Sequence, residues 1–264
     1  MPQWNCACTN CVAARTGKIA PQTQSSIAVS GDPENFRGWF LINASPDLPR
    51  QIEREPPLQP HPDSPRNTPI AGVLLTNADI DHASGLLLLR QQETPLVVYA
   101  AEETRTALAW VDNVLARFCG IKWRKISADF QSLSGSLGFR AIQLPGSVAY
   151  QFRDDSSGAT ALFAPIVGEL TEQLRNAVDA SAVILFDGTF WTDGELATVR
   201  PGARTSREMN HLPISDGTLD FDYSGNTEMF YDEQKTVERH NERVYLDEEG
   251  NEWLESQLIV KEVN

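Results

Sequence analysis

The stretch Ile70–Leu89, IAGVLLTNADIDHASGLLLL, constrains the fold most. It runs apolar, then polar, then apolar. Ile70–Leu75 is a short greasy run after Thr-Pro and predicts a buried strand. Gly85–Leu89 predicts the start of a packed helix reaching about Arg90. Between them Asn77, Asp79, Asp81 and His82 stand at offsets 0, 2, 4 and 5. Alternate residues of an extended segment share a side, and a tight turn brings the next side chains round. This spacing can aim several ligands at one point. Carboxylate oxygen and imidazole nitrogen suit first-row divalent metals. The competing reading is a solvated loop in which Asp79 or Asp81 caps the following helix.

Other elements fall around this one. Ile27–Ser30 and Trp39–Asn43 read as two strands around the turn GDPENFRG. Residues 53–69, EREPPLQPHPDSPRNTP, are rich in proline and charge and predict a long surface loop. Leu96–Ala100, Gly138–Leu144, Thr160–Ala164 and Ala182–Phe186 read as strands. Glu102–Phe118 and Leu170–Val178 read as helices. Alternating strands and helices with an early hairpin predict a sheet-rich α/β architecture.

Charge divides the chain. The net charge is -14, which speaks against nucleic acid as a partner. From Asp216 to Asn264 there are 14 Asp+Glu against 4 Lys+Arg, a net of -10, which leaves only -4 for the first 215 residues. The expected organisation is a body over 1–216 and an acidic C-terminal segment over 217–264, possessing strand-like pieces at Val244–Leu246 and Gln257–Val260 around DEEGNEW. No apolar run reaches the ~18 residues of a membrane span. The N-terminus MPQWNCACTN lacks the basic and apolar regions of a secretory signal. A cytoplasmic protein is expected.

Cys6, Cys8 and Cys11 form C-x-C-x-x-C. Three thiols so close in a cytosolic chain favour a metal over disulfides. A thiolate-rich closed site suits structural Zn2+, with a fourth ligand from elsewhere. Cys119, in ARFCGIKW, reads as a small buried hydrophobe. His61 in the proline-rich loop and His240 in VERHNERV read as surface residues.

Several long motifs occur in a characteristic order: PQWNCACTNC, TQSSIAVS, WFLINASPD, TPIAGVLLTNADIDHASGLLLLR, ILFDGTFWTDGEL and NHLPIS. From residue 2 to about 216, the sequence resembles the coenzyme pyrroloquinoline quinone (PQQ) biosynthesis protein B family of the metallo-β-lactamase superfamily. Residues 77, 79, 81 and 82 match the superfamily's HxHxDH motif, with Asn77 and Asp79 in place of its first two histidines.

The resemblance implies a metallo-β-lactamase-like αββα sandwich, here lacking the family's first strand and with a divergent C-terminal end. It also implies zinc at the cysteines. For activity it implies an iron-dependent (Fe2+) hydroxylation of a tyrosine-derived precursor in PQQ biosynthesis. Asp79, Asp81 and His82 would then be metal ligands. The partner would be a small-molecule or peptide-derived quinone precursor. A metal-dependent hydrolase and a non-catalytic carrier of PQQ or its precursor are the alternatives. His211, in NHLPIS, lies by resemblance at the superfamily's active-site mouth, as proton donor or ligand. Asp187 ends the strand AVILFDG, at a strand edge where sites gather. The family's late histidine ligand has no counterpart in this sequence.

Overall fold

The computed structural model describes residues 2–32 and 38–216, with three further strands, Glu228–Tyr231, Val244–Leu246 and Glu252–Leu254. Most of the turn GDPENFRG, His240 and the expected strand Gln257–Val260 lie outside the described residues. Two compact units emerge. A central unit spans Gln24–Ala161. A terminal unit joins Met1–Thr23 to Leu162–Ile259. The charge boundary at 216/217 falls inside the terminal unit.

The terminal unit starts with helix α1 (Thr9–Arg15), whose buried residues are Cys11 and Ala14.

The central unit opens with the expected hairpin. Strand β1 (Ile27–Val29) pairs antiparallel with β2 (Trp39–Ile42), Ile27 facing Ile42. Helix α2 (Leu48–Arg54) follows and ends in a 3-10 turn, Pro56–Leu58, that buries Leu58. The proline-rich loop is therefore irregular only after this point. Strand β3 (Ile70–Leu74) pairs in parallel with β2 and with β4 (Leu96–Ala100), and β4 pairs in parallel with β5 (Ile121–Lys125). The sheet order is β1-β2-β3-β4-β5. Strand β3 thus has neighbours on both sides, which is why it reads as a continuous apolar run.

The helices after β3 and β4 are broken. Helix α3 (Ile80–Ala83) lasts four residues and passes into a 3-10 helix, Ser84–Leu89. Gly85 lies so close to the carbonyls of Ala44 and Ser45 that any Cβ there would collide with them. The backbone approach sets the path rather than helix propensity. The expected helix 102–118 is two, α4 (Glu102–Ala107) and α5 (Ala109–Leu115), hinged at the buried Leu108.

An antiparallel meander completes this unit: β6 (Gln131–Ser134), β7 (Leu137–Leu144) and β8 (Ser147–Asp154). Strand parity divides the core. Trp39, Leu41, Val73, Leu75 and Val98 pack with Leu48, Leu86, Leu108, Val111 and Leu115 from the helical segments. Alternate residues of the same sheet meet the meander. The Phe40 and Tyr99 rings are 6.3 Å apart, Tyr99 and Phe139 5.3 Å, and Phe139 and Tyr150 6.1 Å. One helical layer and two sheet layers result, the period-2 alternation deciding which face each side chain serves.

The chain passes to the terminal unit within β9 (Thr160–Ala164). Helix α6 (Glu172–Asp179) is capped by the Thr171 hydroxyl, which accepts from the Leu174 N–H at 3.2 Å. Strand β10 (Val183–Phe186) leads to α7 (Glu195–Val199). From the acidic segment, β11 (Glu228–Tyr231) pairs in parallel with β10, Val183 facing Glu228. Strands β12 (Val244–Leu246) and β13 (Glu252–Leu254) form an antiparallel pair. The partner of Val244–Leu246 thus lies partly inside DEEGNEW, the segment the sequence suggested as turn. Among the described residues no helix is long and apolar enough to cross a membrane.

Candidate metal centres

At the carboxyl end of β3, three side chains converge. Asp79, Asp81 and His82 each place one ligand atom within 4.8 Å of the others. Neither carboxylate has an ion-pair partner among the described residues. Two uncompensated carboxylates beside an imidazole form a hard, oxygen-rich donor set that fits a divalent first-row cation.

Capping does not account for them. Asp79 is the N-cap residue of α3, and Asp is among the best N-caps. Its side chain nevertheless makes no cap hydrogen bond. It turns instead to Asn77, whose Nδ2 donates to Asp79 Oδ2 at 2.7 Å. Asn77 Oδ1 accepts from the Asp79 backbone N–H at 3.1 Å and lies 2.7 Å from His82 Nδ1. Because Asn77 Oδ1 can only accept, His82 Nδ1 is the donor and Nε2 keeps the lone pair that ligation needs. Asn77 therefore orients two neighbours.

The frame around the loop is rigid. The Ala44 N–H donates to the His82 carbonyl at 2.7 Å, and Gly85 N–H to the Ala44 carbonyl at 2.8 Å. Tyr150 Oη donates to the Leu75 carbonyl at 2.8 Å, and Val148 N–H to the Thr76 carbonyl at 2.8 Å. Tyr150 is fully buried, which drives its phenol far above the ordinary range and keeps it a neutral donor. His82 is buried, while Asp79 reaches solvent.

The second cluster lies in the terminal unit. Cys6, Cys8 and Cys11 bring their sulfurs within 4.8 Å of one another, and no disulfide joins them. Cys8 is the N-cap of α1 and Cys11 sits in its first turn. The Cys11 backbone N–H facing the Cys8 sulfur pulls that thiol below its usual value, while burial pushes the Cys11 thiol up. Cys6 Sγ accepts from the Cys8 N–H at 3.5 Å and Cys11 Sγ from the Gln3 N–H at 3.4 Å. Of the three, Cys8 is the thiol held toward its thiolate form. Arg15 braces the loop by donating to the carbonyls of Gln3 and Cys6. The donor set fits zinc, with three ligands from this loop.

Asp187 and His211 are also brought together, both in the terminal unit. His211 Nδ1 lies 2.7 Å from Asp187 Oδ2. Asp187 is almost wholly buried and also accepts from Val167 N–H (2.9 Å), Thr189 N–H (3.1 Å) and Thr189 Oγ1 (2.7 Å). With four donors on its two oxygens it serves as the orienter of His211. Phe190 packs edge-on against the imidazole at 5.6 Å. Asn210, left-handed at φ 67°, precedes the histidine and crowds Gly168 so closely that a side chain there would clash.

The remaining candidates behave as ordinary residues. His61 is exposed and pairs with Asp63 at 3.1 Å. Cys119 is only partly buried, packed against the core of the central unit.

The beta-lactamase superfamily domain matches residues 38–227. The coenzyme PQQ synthesis protein B of Azoarcus sp. (strain BH72) is 36% identical over 239 residues, covering 81% of this chain and 77% of that protein. The chain belongs to the coenzyme PQQ synthesis protein B family. The protein of that name from Cupriavidus taiwanensis is 35% identical over 240 residues, at 81% and 77% coverage. Among solved structures, zinc-bound PqqB from Methylobacterium extorquens matches with a TM-score of 0.72 and 32% identity, over 82% of this chain and 76% of that one. A diphosphatase of the PhnP family, with a TM-score of 0.56 and 16% identity over 72% and 69% of the two chains, shares the fold alone. The metallo-β-lactamase fold expected from the motifs is the fold found.

Sequence reasoning overlooked Asn43, Thr76 and Arg15. Arg15 had a readable signal, standing four residues after Cys11 on the same helix. Asn43 and Thr76 are 33 residues apart and meet only because β2 pairs with β3.

Proposed function

We propose that this chain acts in PQQ biosynthesis on a small, tyrosine-derived precursor, with a divalent metal held by Asp79, Asp81 and His82. Convergence of these three side chains at the end of β3, in the HxHxDH positions, carries the reading. Membership of the PQQ synthesis protein B family supports the pathway.

Iron(II) is the metal proposed there, and it would supply redox chemistry for hydroxylating the precursor. The chain's own residues do the rest. Asn77 presents Asp79 and holds the His82 proton on Nδ1. Asp81, in the first turn of α3, offers a carboxylate with no ion-pair partner among the described residues. In the terminal unit, Asp187 holds the His211 proton on Nδ1, so that Nε2 is the atom able to take up or release a proton. Zinc is proposed at Cys6, Cys8 and Cys11, where thiolates would lock the loop ahead of α1.

A second reading is zinc-dependent hydrolysis, favoured by the zinc in the Methylobacterium extorquens relative. Oxygen uptake separates the two. Anaerobically reconstituted protein with iron(II) should consume oxygen when given a catechol-like or tyrosine-derived precursor, and His82→Ala should not. Turnover with zinc and no oxygen uptake would favour hydrolysis. Precursor binding without any turnover would favour a carrier.

A further inference from the structure

We infer that Asn43, acting through Thr76, is a positioning residue that works with Asn77 to fix which ring nitrogen of His82 carries the proton. The inference starts from the backbone. Asn43 is completely buried, directly follows β2, and holds the left-handed conformation at φ 64°. That conformation is uncommon outside glycine, and Asn tolerates it best. The Asn43 N–H donates to the Leu74 carbonyl at 2.8 Å, which locks its position against β3.

Hydrogen-bond polarity then propagates in one direction. The Thr76 backbone N–H is always a donor, and it points at Asn43 Oδ1 at 3.0 Å. This fixes the amide orientation: a flipped amide would set two donors face to face. Asn43 Oδ1 also lies 3.0 Å from Thr76 Oγ1. An amide oxygen only accepts, so the hydroxyl proton of Thr76 is committed to it. The remaining lone pairs of Thr76 Oγ1 face His82 Nδ1 at 3.3 Å. Asn77 Oδ1 faces the same nitrogen at 2.7 Å. Both oxygens present lone pairs, so Nδ1 is protonated and Nε2 is the bare nitrogen.

The price of this arrangement is visible. Asn43 Nδ2 is buried with no hydrogen-bond partner among the described residues. A buried orphan donor is destabilising. Its oxygen, which takes both Thr76 donors, is therefore the end of the amide that is used. The consequence for ligation rests on the metal role proposed for His82; the ring tautomer does not.

The test reads the His82 ring of the full-length chain directly by two-bond 1H–15N correlation, assigned by its loss in His82→Gln. Zinc titration of the Asp79, Asp81 and His82 site follows as a separate readout. The wild type should show a proton on Nδ1. Asn43→Gly keeps the left-handed backbone without strain while deleting the oxygen, and Thr76→Val deletes the hydroxyl. Both should give mixed tautomers and about tenfold weaker zinc binding at that site. Thr76→Ser and Asn43→Asp restore the acceptor and should return the wild-type ring signature. If Asn43→Gly fails to fold, Thr76→Val carries the test alone. The inference is overturned if Thr76→Val, folded, keeps both the wild-type tautomer and its zinc affinity, or if wild-type His82 carries its proton on Nε2. A shifted tautomer in a protein that takes up no metal would sustain the inference and defeat the metal reading instead.

Discussion

The chain builds two candidate metal-ligand clusters by the same local device and supports them differently. Cys8 and Asp79 are each the N-cap of a short helix, and neither side chain makes a cap hydrogen bond. In both, the side chain best placed to close the helix is turned toward its cluster. The ligand chemistry differs. Three sulfurs form a soft set, whereas two carboxylates and an imidazole form a hard one. The supports differ more. The cysteine loop is braced by Arg15 on two carbonyls. The Asp/His loop grows from a central strand, over Asn43, Thr76 and Tyr150. A helix start supplies convergence cheaply, and the surrounding scaffold decides whether it serves folding or chemistry.

That contrast can be broken experimentally, beginning with the largest expected effect. Asp81→Ala should weaken metal binding at the Asp/His cluster by roughly 100-fold or more, because a ligand rather than its support is lost. Its melting temperature without added metal should match the wild type; a large drop would assign Asp81 to the fold. Cys11→Ser should do the reverse. Cys11 is fully buried, and loss of metal-coupled folding should cost on the order of 2 kcal/mol. That is about 4–8 °C in Tm for a domain of this size. Unchanged Tm and unchanged zinc content would remove the structural role.

Asn77→Ala should lower affinity at the Asp/His cluster by about tenfold, measured by zinc titration, since it frees both Asp79 and the His82 proton. Equal affinity would show that Asn77 is a bystander. The smallest effect concerns the thiols of metal-free protein. Cys8 is lowered from the ordinary thiol value and Cys11 is raised. A lowered value means that thiolate persists as pH falls. Alkylation of Cys8 should thus continue to lower pH than that of Cys11, several-fold faster near neutrality by peptide mapping. The opposite order would contradict the helix-start electrostatics.

Much of this was legible in the sequence, and the gaps have physical causes. β3 and its polar exit, the β1–β2 hairpin, β4, β9 and β10 followed from apolar runs with turn signals. β8, SVAYQFRD, was missed because nearly every residue is buried, so the alternation that marks a strand is absent. β5, IKWRK, was missed because its charges hide an edge strand. Both helices after the parallel strands were drawn too long. At α3 the cause lies outside the helix, in the carbonyls of Ala44 and Ser45 against Gly85. The two side-chain clusters, Cys6, Cys8 and Cys11 and Asp79, Asp81 and His82, were local and readable as clusters. The pairing of Asp187 with His211, 24 residues apart, and the rail from Asn43 to His82 depend on tertiary contacts that spacing cannot reveal.

The central claim is that the chain holds two independent metal centres of opposite softness. It is tested most directly by the metal content of anaerobically reconstituted wild type, His82→Ala and Cys8→Ser, each given iron(II) and zinc together. The account predicts two metal ions per chain in the wild type and one in each variant, the one kept by His82→Ala being zinc at the cysteines. Identical metal content in wild type and His82→Ala would contradict it, because the cluster at the end of β3 would then hold no metal at all.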